Sequence, residues 1–456
     1  MNTLLRQMTL PAASTPTDPQ PAVPIVEYEH RMTALYQAAD CRWVLVYGDR
    51  EHAANLAFLT HFDPRFEEAL LVLGPNNQRT LILGNEGMGY TPQAKPALDF
   101  VLCQTLGLMG QPRNAAPRLD TVLQTLGLRS ADTVGIVGWK YLEAGEDDDL
   151  TAPAFVPAYL VRHVQRIVGN TGRLIDVTHI LMHPTHGLKS QNSAAQIAAF
   201  EWASQQASAG VQRVIRRVRP GQRECDAALL FGYPGLPFSC HPMLTSASPN
   251  EPVIGLRSPG ARMLRYGDGV VTGLGYAGAL CARGGLLTGE IQAVFCDSYV
   301  RPYYTAIATW YNTLRVGVSG GAMHDAVMAA LEGAPFRPAL NPGHLISIDE
   351  WTHTPIRENS PDLLASGMAL QCDIIPAPMP NGQVLNCEDG VALADPTLRA
   401  ELAAHDPALW RRIQTRCQFM REALGLTLDE SVLPLSDSCA LLAPFWLAAD
   451  VVCAVV

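Results

Sequence analysis

The chain has 456 residues, 48% of them hydrophobic and 17% charged, with a formal net charge of −10. That length exceeds what one hydrophobic core organises and requires two or three domains, while the acidic balance argues against nucleic acid or an anionic membrane as partner, since both reward clustered Lys and Arg. No window reaches the roughly 20 apolar residues that span a bilayer, the first residues lack a signal-peptide core, and eleven cysteines without a C-x-x-C pair fit reduced thiols in a cytoplasmic protein.

In chain order, "MNTLLRQMTLPAASTPTDPQPAVP" (1–24) reads as a flexible Pro/Thr-rich tail or an arm lying on a neighbour. "YEHRMTALYQAAD" has helical spacing, "RWVLVYG" is strand-like, and "EEALLVLG" with "RTLILG" forms a meander around "PNNQ". A helix over "PRLDTVLQTLG", a strand over "TVGIVG" and a helix over "PAFVPAYLVRHVQRI" complete a smaller α/β domain at 25–185. Within it, "GEDDD" (145–149) reads as a solvated acidic loop. "LMHPTHGLKSQNS" punctuates the boundary; His183 and His186 there have a metal-like interval in a context that fits an ordinary linker.

From 186 to 456 the pattern changes. "SAAQIAAFEWASQQASAGVQRVIRRVRPG" is a long amphipathic helix with Ser193 as N-cap and Pro220-Gly221 as the stop. Its basic end, "VIRRVRPGQR", reads as a solvated face. The hairpin "VVTGLGYAGALCARGG" (270–285) follows, apolar except for Arg283. Helices over "YYTAIATWYNTLRVG" and "GAMHDAVMAALEG" precede the strands "GHLISI", "ASGMALQCDIIP" and "GQVLNCEDGVALAD", and a helix over "DPALWRRIQTRCQFMREALGL" comes last. Strands grouped with helices, rather than alternating with them, give an α+β class with a curved antiparallel sheet. Cys240, Cys281, Cys372 and Cys387 read as small buried hydrophobes.

This order of motifs resembles the creatinase / aminopeptidase P / methionine aminopeptidase family, whose fold is called pita-bread. "LKSQNSAAQIAAFEWASQQASAGVQRVIRRVRPGQRECDAA" looks like the family's first long helix, "MLTSASPN" like its Ser-Gly-Pro-Asn turn, and "LRYGDGVVTGLG" like its Gly-Asp-β-Asp-Leu-Gly strand. "NPGHLISI", "ASGMALQCDIIP" and "NCEDGVAL" resemble the later strands that carry a His and two Glu, and "LTHFDPRFEEALLVL" resembles the creatinase-type N-terminal domain. The resemblance implies a pita-bread C-terminal domain at 186–456 preceded by that smaller domain. The family's metallopeptidases hold two divalent metals with two Asp, one His and two Glu. Carried over by position, the two Asp fall on Gly273 and, with a residue of slippage, on Arg283, while the His and the two Glu fall on His344, Asp373 and Glu388. The chain thus looks like a divergent member without the metal-bridging aspartates, since a cation at Arg283 repels a metal.

Creatinase cleaves a C–N bond without metal, but its catalytic histidine falls on Leu256, with His241 the nearest histidine. A further family histidine falls on Trp351, beside His353. Phe62 and Arg65 match a loop with which creatinase-like relatives reach into the partner subunit's pocket, although a surface ion pair of Arg65 with Glu67 or Glu68 fits equally. The expectation is therefore a homodimer that needs no cofactor and cleaves a C–N bond in a small zwitterionic molecule. His344, Asp373 and Glu388 are the expected acid–base catalysts, and Arg283, Arg65, Phe62, His241, His353 and Trp351 the expected substrate contacts. One alternative is an Xaa-Pro-type aminopeptidase with a single divalent transition metal. The other is an inactive binding module in which Arg283 locks onto Asp373 and Glu388 and fills the site.

Overall fold

The longest apolar runs of the chain become its buried strands. The computed structural model of the protein describes residues 1–12 and 15–456, which gather into two units: Val23–Lys189, and Met1–Ala22 together with Ser190–Val456. The expected α+β organisation is the one observed. Among the described residues no helix is long and apolar enough to cross a membrane.

The larger unit starts with strand β1 (Thr3–Gln7), paired antiparallel with Val451–Val455 at the other end of the chain. The first residues are therefore not the loose tail their composition predicts. Beyond β1 they run along the helix Ala194–Arg217, whose side chains hold their carbonyls. Trp202 Nε1 donates to Asp18 O (2.8 Å), Gln206 Nε2 to Pro16 O (3.1 Å) and Arg216 Nη2 to Pro11 O (2.9 Å). Such a strap leaves little trace in sequence, because any residue supplies the carbonyl it offers. The reading of the helix's basic end as a solvated face holds for Arg217, Arg219 and Arg223, which are exposed, while Arg216 is half-buried and bonded to the strap.

In the smaller unit, β2 (Trp43–Gly48), β3 (Ala69–Gly74), β4 (Gln78–Leu83), β5 (Asp99–Leu102), β6 (Thr133–Val137) and β7 (Arg173–Asp176) form one mixed sheet in the order β5-β4-β3-β2-β6-β7. Every residue of β2 and β3 is buried, as unbroken apolar runs in a strand demand. β3 and β4 pair antiparallel across Pro75–Asn77, the turn expected at "PNNQ". Asn76 and Asn77 take φ of 57° and 60° there, a region their short amide side chains tolerate.

In the larger unit the remaining strands are β8 (Met243–Ala247), β9 (Gly269–Tyr276), β10 (Ala279–Leu286), β11 (Arg337–Pro338), β12 (His344–Leu345), β13 (Ala369–Cys372), β14 (Pro376–Ala377), β15 (Asn386–Leu393), β16 (Val432–Pro434) and β17 (Val451–Val455). An antiparallel sheet runs β12-β13-β15-β10-β9-β8, with β16 also on β15; β11 and β14 make a separate ribbon. The β9–β10 hairpin is the apolar stretch of the sequence. It turns through Gly278 at φ 87°, where a Cβ would lie 2.0 Å from the Phe200 ring, so glycine is required on both counts. The helix Ala194–Arg217 is capped by Ser193, whose Oγ accepts from Gln196 N at 3.1 Å, and is buried along most of its length. The helix Arg301–Thr313 contributes Tyr303, Tyr304, Trp310 and Tyr311 to the main core, all essentially inaccessible.

Candidate functional site

Side chains alternate along a strand, so cross-strand register decides which residues share a face. Glu388 of β15 pairs with Ala282 of β10, Ala282 with Gly273 of β9, and Gly273 with Met243 of β8. His344 of β12 pairs with Gln371 of β13, and Gln371 with Gly390 of β15, two residues from Glu388 on the same face. Asp373 follows two residues after Gln371. One face of the sheet thus carries His344, Gln371, Asp373 and Glu388. Its β10 position is Ala282.

Arg283 faces the other way, paired in register with Cys387. Its guanidinium is 1% exposed and ion-pairs with Asp389. It also donates to the carbonyls of Leu441 (3.0 Å), Ala282 (2.7 Å), Glu388 (2.8 Å) and Ser438 (2.6 Å). Five N–H donors meet five oxygen acceptors of the protein. The expectation that Arg283 reaches the cavity, whether to bind substrate or to lock Asp373 and Glu388, is corrected by the one-residue register. Cys281, Cys372 and Cys387 share Arg283's face and are buried.

On the first face, one ligand atom each from His344, Asp373 and Glu388 lies within 4.8 Å of the others, and among the described residues this is the only His/Cys/Asp/Glu group so arranged. All three residues are buried. Glu388 is oriented by Gln371 Nε2, which donates to Oε1 at 3.0 Å, and by Asn386 Nδ2 at 3.5 Å from Oε2. Asp373 Oδ1 and His344 Nε2 have no hydrogen-bond partner. Burial, then the charges of Glu388 and Glu350, holds the Asp373 carboxyl well above the usual carboxylate range. Burial and Glu350 push Glu388 up to about 7, against the opposing hydrogen bond from Gln371 and the proximity of His344. Uncompensated burial in a low dielectric is the cause in both cases.

The His344 ring stacks on Trp351, centroids 4.1 Å apart and planes 19° from parallel. Its Nδ1 lies 3.2 Å from Leu345 O, which can only accept, so Nδ1 is the donor of that contact. Nε2 is 3.3 Å from Glu350 Oε1, within ion-pair range but out of line for a hydrogen bond. Glu350 and Trp351 sit on a loop whose ends are pinned by Leu345 N to His353 O (2.7 Å) and Thr352 N to Leu345 O (3.0 Å). Cys240 also feels this acidic surface: burial, then Glu350 and Glu388, pushes its thiol up to about 12. It is therefore not poised as a thiolate.

The other expected contacts fall elsewhere. His353 accepts from Thr354 N through Nδ1 (2.8 Å) and helps close the loop beside the site. His241 is exposed, its Nε2 2.6 Å from the carbonyl of Leu256, the residue at which creatinase's histidine falls. Phe62 is completely buried against Tyr90, which corrects its assignment as a substrate contact. Arg65 is exposed, hydrogen-bonds Tyr90 Oη (2.9 Å) and pairs with Asp63 (3.6 Å) rather than Glu67 or Glu68. Those two acids are engaged instead by the Glu86 and Gly87 amides and by Tyr159 Oη. His183 and His186 stack on each other within a turn whose amides bond His183 Nδ1.

Sequence reasoning passed over Glu350, Gln371 and Met243. Met243 has a geometric role: a Cβ on Gly273 would lie 2.7 Å from its Cε. The thioether thus occupies the space a side chain at 273 would enter. Only the strand partnership reveals this.

The architecture is that of the pita-bread fold preceded by a creatinase-type domain. No protein-family profile and no curated protein matches the chain. Solved structures do. The Xaa-Pro dipeptidase from Bacillus anthracis superposes with a TM-score of 0.60 at 14% identity, over 81% of this chain and 95% of that one. The prolidase from Pyrococcus horikoshii OT3 gives 0.62 at 12% identity over 81% and 95%, and a dipeptidase from Mycobacterium ulcerans 0.58 at 17% over 82% and 94%. At such identities the likeness is one of fold.

Proposed function

We propose that this chain is a hydrolase of C–N bonds working with a single divalent cation held by His344, Asp373 and Glu388. The observation that carries this reading is that two buried atoms, His344 Nε2 and Asp373 Oδ1, have no hydrogen-bond partner and are grouped with a Glu388 carboxyl oxygen. An imidazole and two carboxylates form a donor set suited to Mn, Fe, Co or Zn. A second ion has no protein ligands in β9 or β10, where Gly273 and Ala282 stand and Met243 fills the gap. When bound, the cation supplies Lewis acidity: it polarises a carbonyl and acidifies a water.

The chain's own residues do the rest. Trp351 and the Leu345 carbonyl fix the imidazole with Nε2 facing the carboxylates, and Gln371 and Asn386 hold Glu388. Because Arg283 is bound internally, a substrate carboxylate has no receptor on this face. In this proposal it is taken by Arg65 of a second copy, which keeps a homodimer in the reading and favours a short peptide or amino-acid amide as substrate. The names of the solved structures sharing the fold, Xaa-Pro dipeptidase and prolidase, suggest Xaa-Pro dipeptides as the first panel.

A second reading, metal-free acid–base hydrolysis of a small zwitterionic molecule, is favoured by one observation: Glu388 is held near 7, where a carboxyl can both give and take a proton. An inactive binding module finds less support, because the internal pairing of Arg283 does not fill the site. Elemental analysis of protein purified without chelator separates these readings. One transition metal per chain, lost in His344→Ala together with hydrolysis of the panel, supports the first. Full hydrolysis by chelator-treated protein overturns it in favour of the second.

A further inference from the structure

We propose that Glu350 is a fourth ligand of the cation, delivered by the loop at 346–352 in place of the carboxylates that β9 and β10 lack. This rests on the reading of His344, Asp373 and Glu388 as a one-cation site. It adds a residue that no strand positions and that couples the ion to a loop.

The argument begins at His344. Its Nδ1 is committed to the Leu345 carbonyl, which leaves Nε2 as the nitrogen that faces the carboxylates. A Glu350 oxygen stands 3.3 Å from that nitrogen without the alignment of a hydrogen bond. Donors sharing one cation through bonds of about 2.1 Å sit about 3.0–3.5 Å apart, which matches the observed separation. Glu350 is not within the 4.8 Å group of the other three. Its side chain is 26% exposed and approaches from the His344 side, so engaging the ion draws the loop inward.

The loop is built to transmit that movement. Trp351 stacks on the ligand imidazole, Ser347 N bonds Asp349 O (3.0 Å), and both ends are tied through Leu345. Three carboxylates and one imidazole make a hard donor set, which favours Mn²⁺ or Fe²⁺ over Zn²⁺.

The probe is Mn²⁺, titrated into chelator-stripped full-length protein and followed by the EPR signal of the free ion, with amide exchange of residues 346–352 as the second readout. Wild type should bind one Mn²⁺ per chain and slow exchange in the loop. Glu350→Gln should bind at least tenfold more weakly and leave the loop exchanging as in the metal-free protein, while Glu358→Gln at a nearby exposed site should match wild type. Should Glu350→Gln not fold, Glu350→Asp, which keeps the charge but shortens the reach, is expected to lose affinity by a similar factor. Equal Mn²⁺ affinity in wild type and Glu350→Gln, or no change in loop exchange in wild type, overturns the role of Glu350 and leaves the three-residue site standing. A wild type that binds no Mn²⁺ overturns both.

Discussion

Glu388 and Asp389 are neighbours on β15 and have opposite fates. Asp389 faces Arg283, with Ser436 Oγ at 2.7 Å and Ser438 Oγ at 2.8 Å donating to its other oxygen, and every guanidinium donor is matched. Glu388 faces two further acids, with amides to orient it and no guanidinium or ammonium of the protein among its contacts. One face of the sheet solves the problem of buried charge internally, as structure. The other leaves it unsolved among the site's own side chains, which is what the proposed cation would answer. The comparison shows that a buried charge is informative through its partners rather than its burial.

The two faces should respond with opposite sign when a charge is removed. Arg283→Leu strands Asp389 in the core and should cost about 3–5 kcal/mol in denaturant unfolding; a loss below about 1 kcal/mol would break the account of that face. Asp373→Asn removes a buried charge that repels its neighbours. It should abolish metal binding yet stabilise chelator-treated protein by about 2 kcal/mol at pH 8. The gain should shrink as the pH falls, because the raised pKa lets the buried carboxyl keep its proton to higher pH than the unfolded chain does. A destabilised Asp373→Asn would mean the acids are compensated in some other way.

The smaller unit offers the same physics away from any candidate ligand. Burial pushes Asp176 up to about 6, against the hydrogen bond it accepts from Thr178 N. The native protein keeps this proton to about pH 6, whereas the unfolded chain loses it near 3.8. Stability should therefore fall as pH rises through that window, by roughly 2 kcal/mol after solvent screening. The difference between Asp176→Asn and wild type should be flat below pH 4 and open between 4 and 6 in favour of the variant; a flat difference throughout would refute the rule. Smallest is Ser193→Ala, which removes the cap of the helix lying against β9 and β10 and should cost about 1 kcal/mol without changing metal affinity.

Much of this was legible in the residues. Apolar runs without breaks marked β2 and β3, the Gly-punctuated stretch marked the β9–β10 hairpin, and Ser193 marked the start of the long helix. The order of motifs pointed to the fold, and it singled out His344, Asp373 and Glu388, whose ligand atoms the structure brings together. Glu350 and the N-terminal strap were not legible. Glu350 sits in a loop with no periodicity, and the strap is held by its carbonyls, which carry no side-chain identity.

What the sequence determined by itself was the class of each segment, because hydrophobic period, glycine and caps act over a few residues. Which face each strand shows was decided by tertiary structure, since the period of a strand is two and a slip of one residue exchanges its faces. The arginine at 283 is the case in point. Its place in the hairpin was plain, but its partner lies 106 residues away, and only the register of β10 on β15 sets it against Asp389 rather than on the face of Glu388.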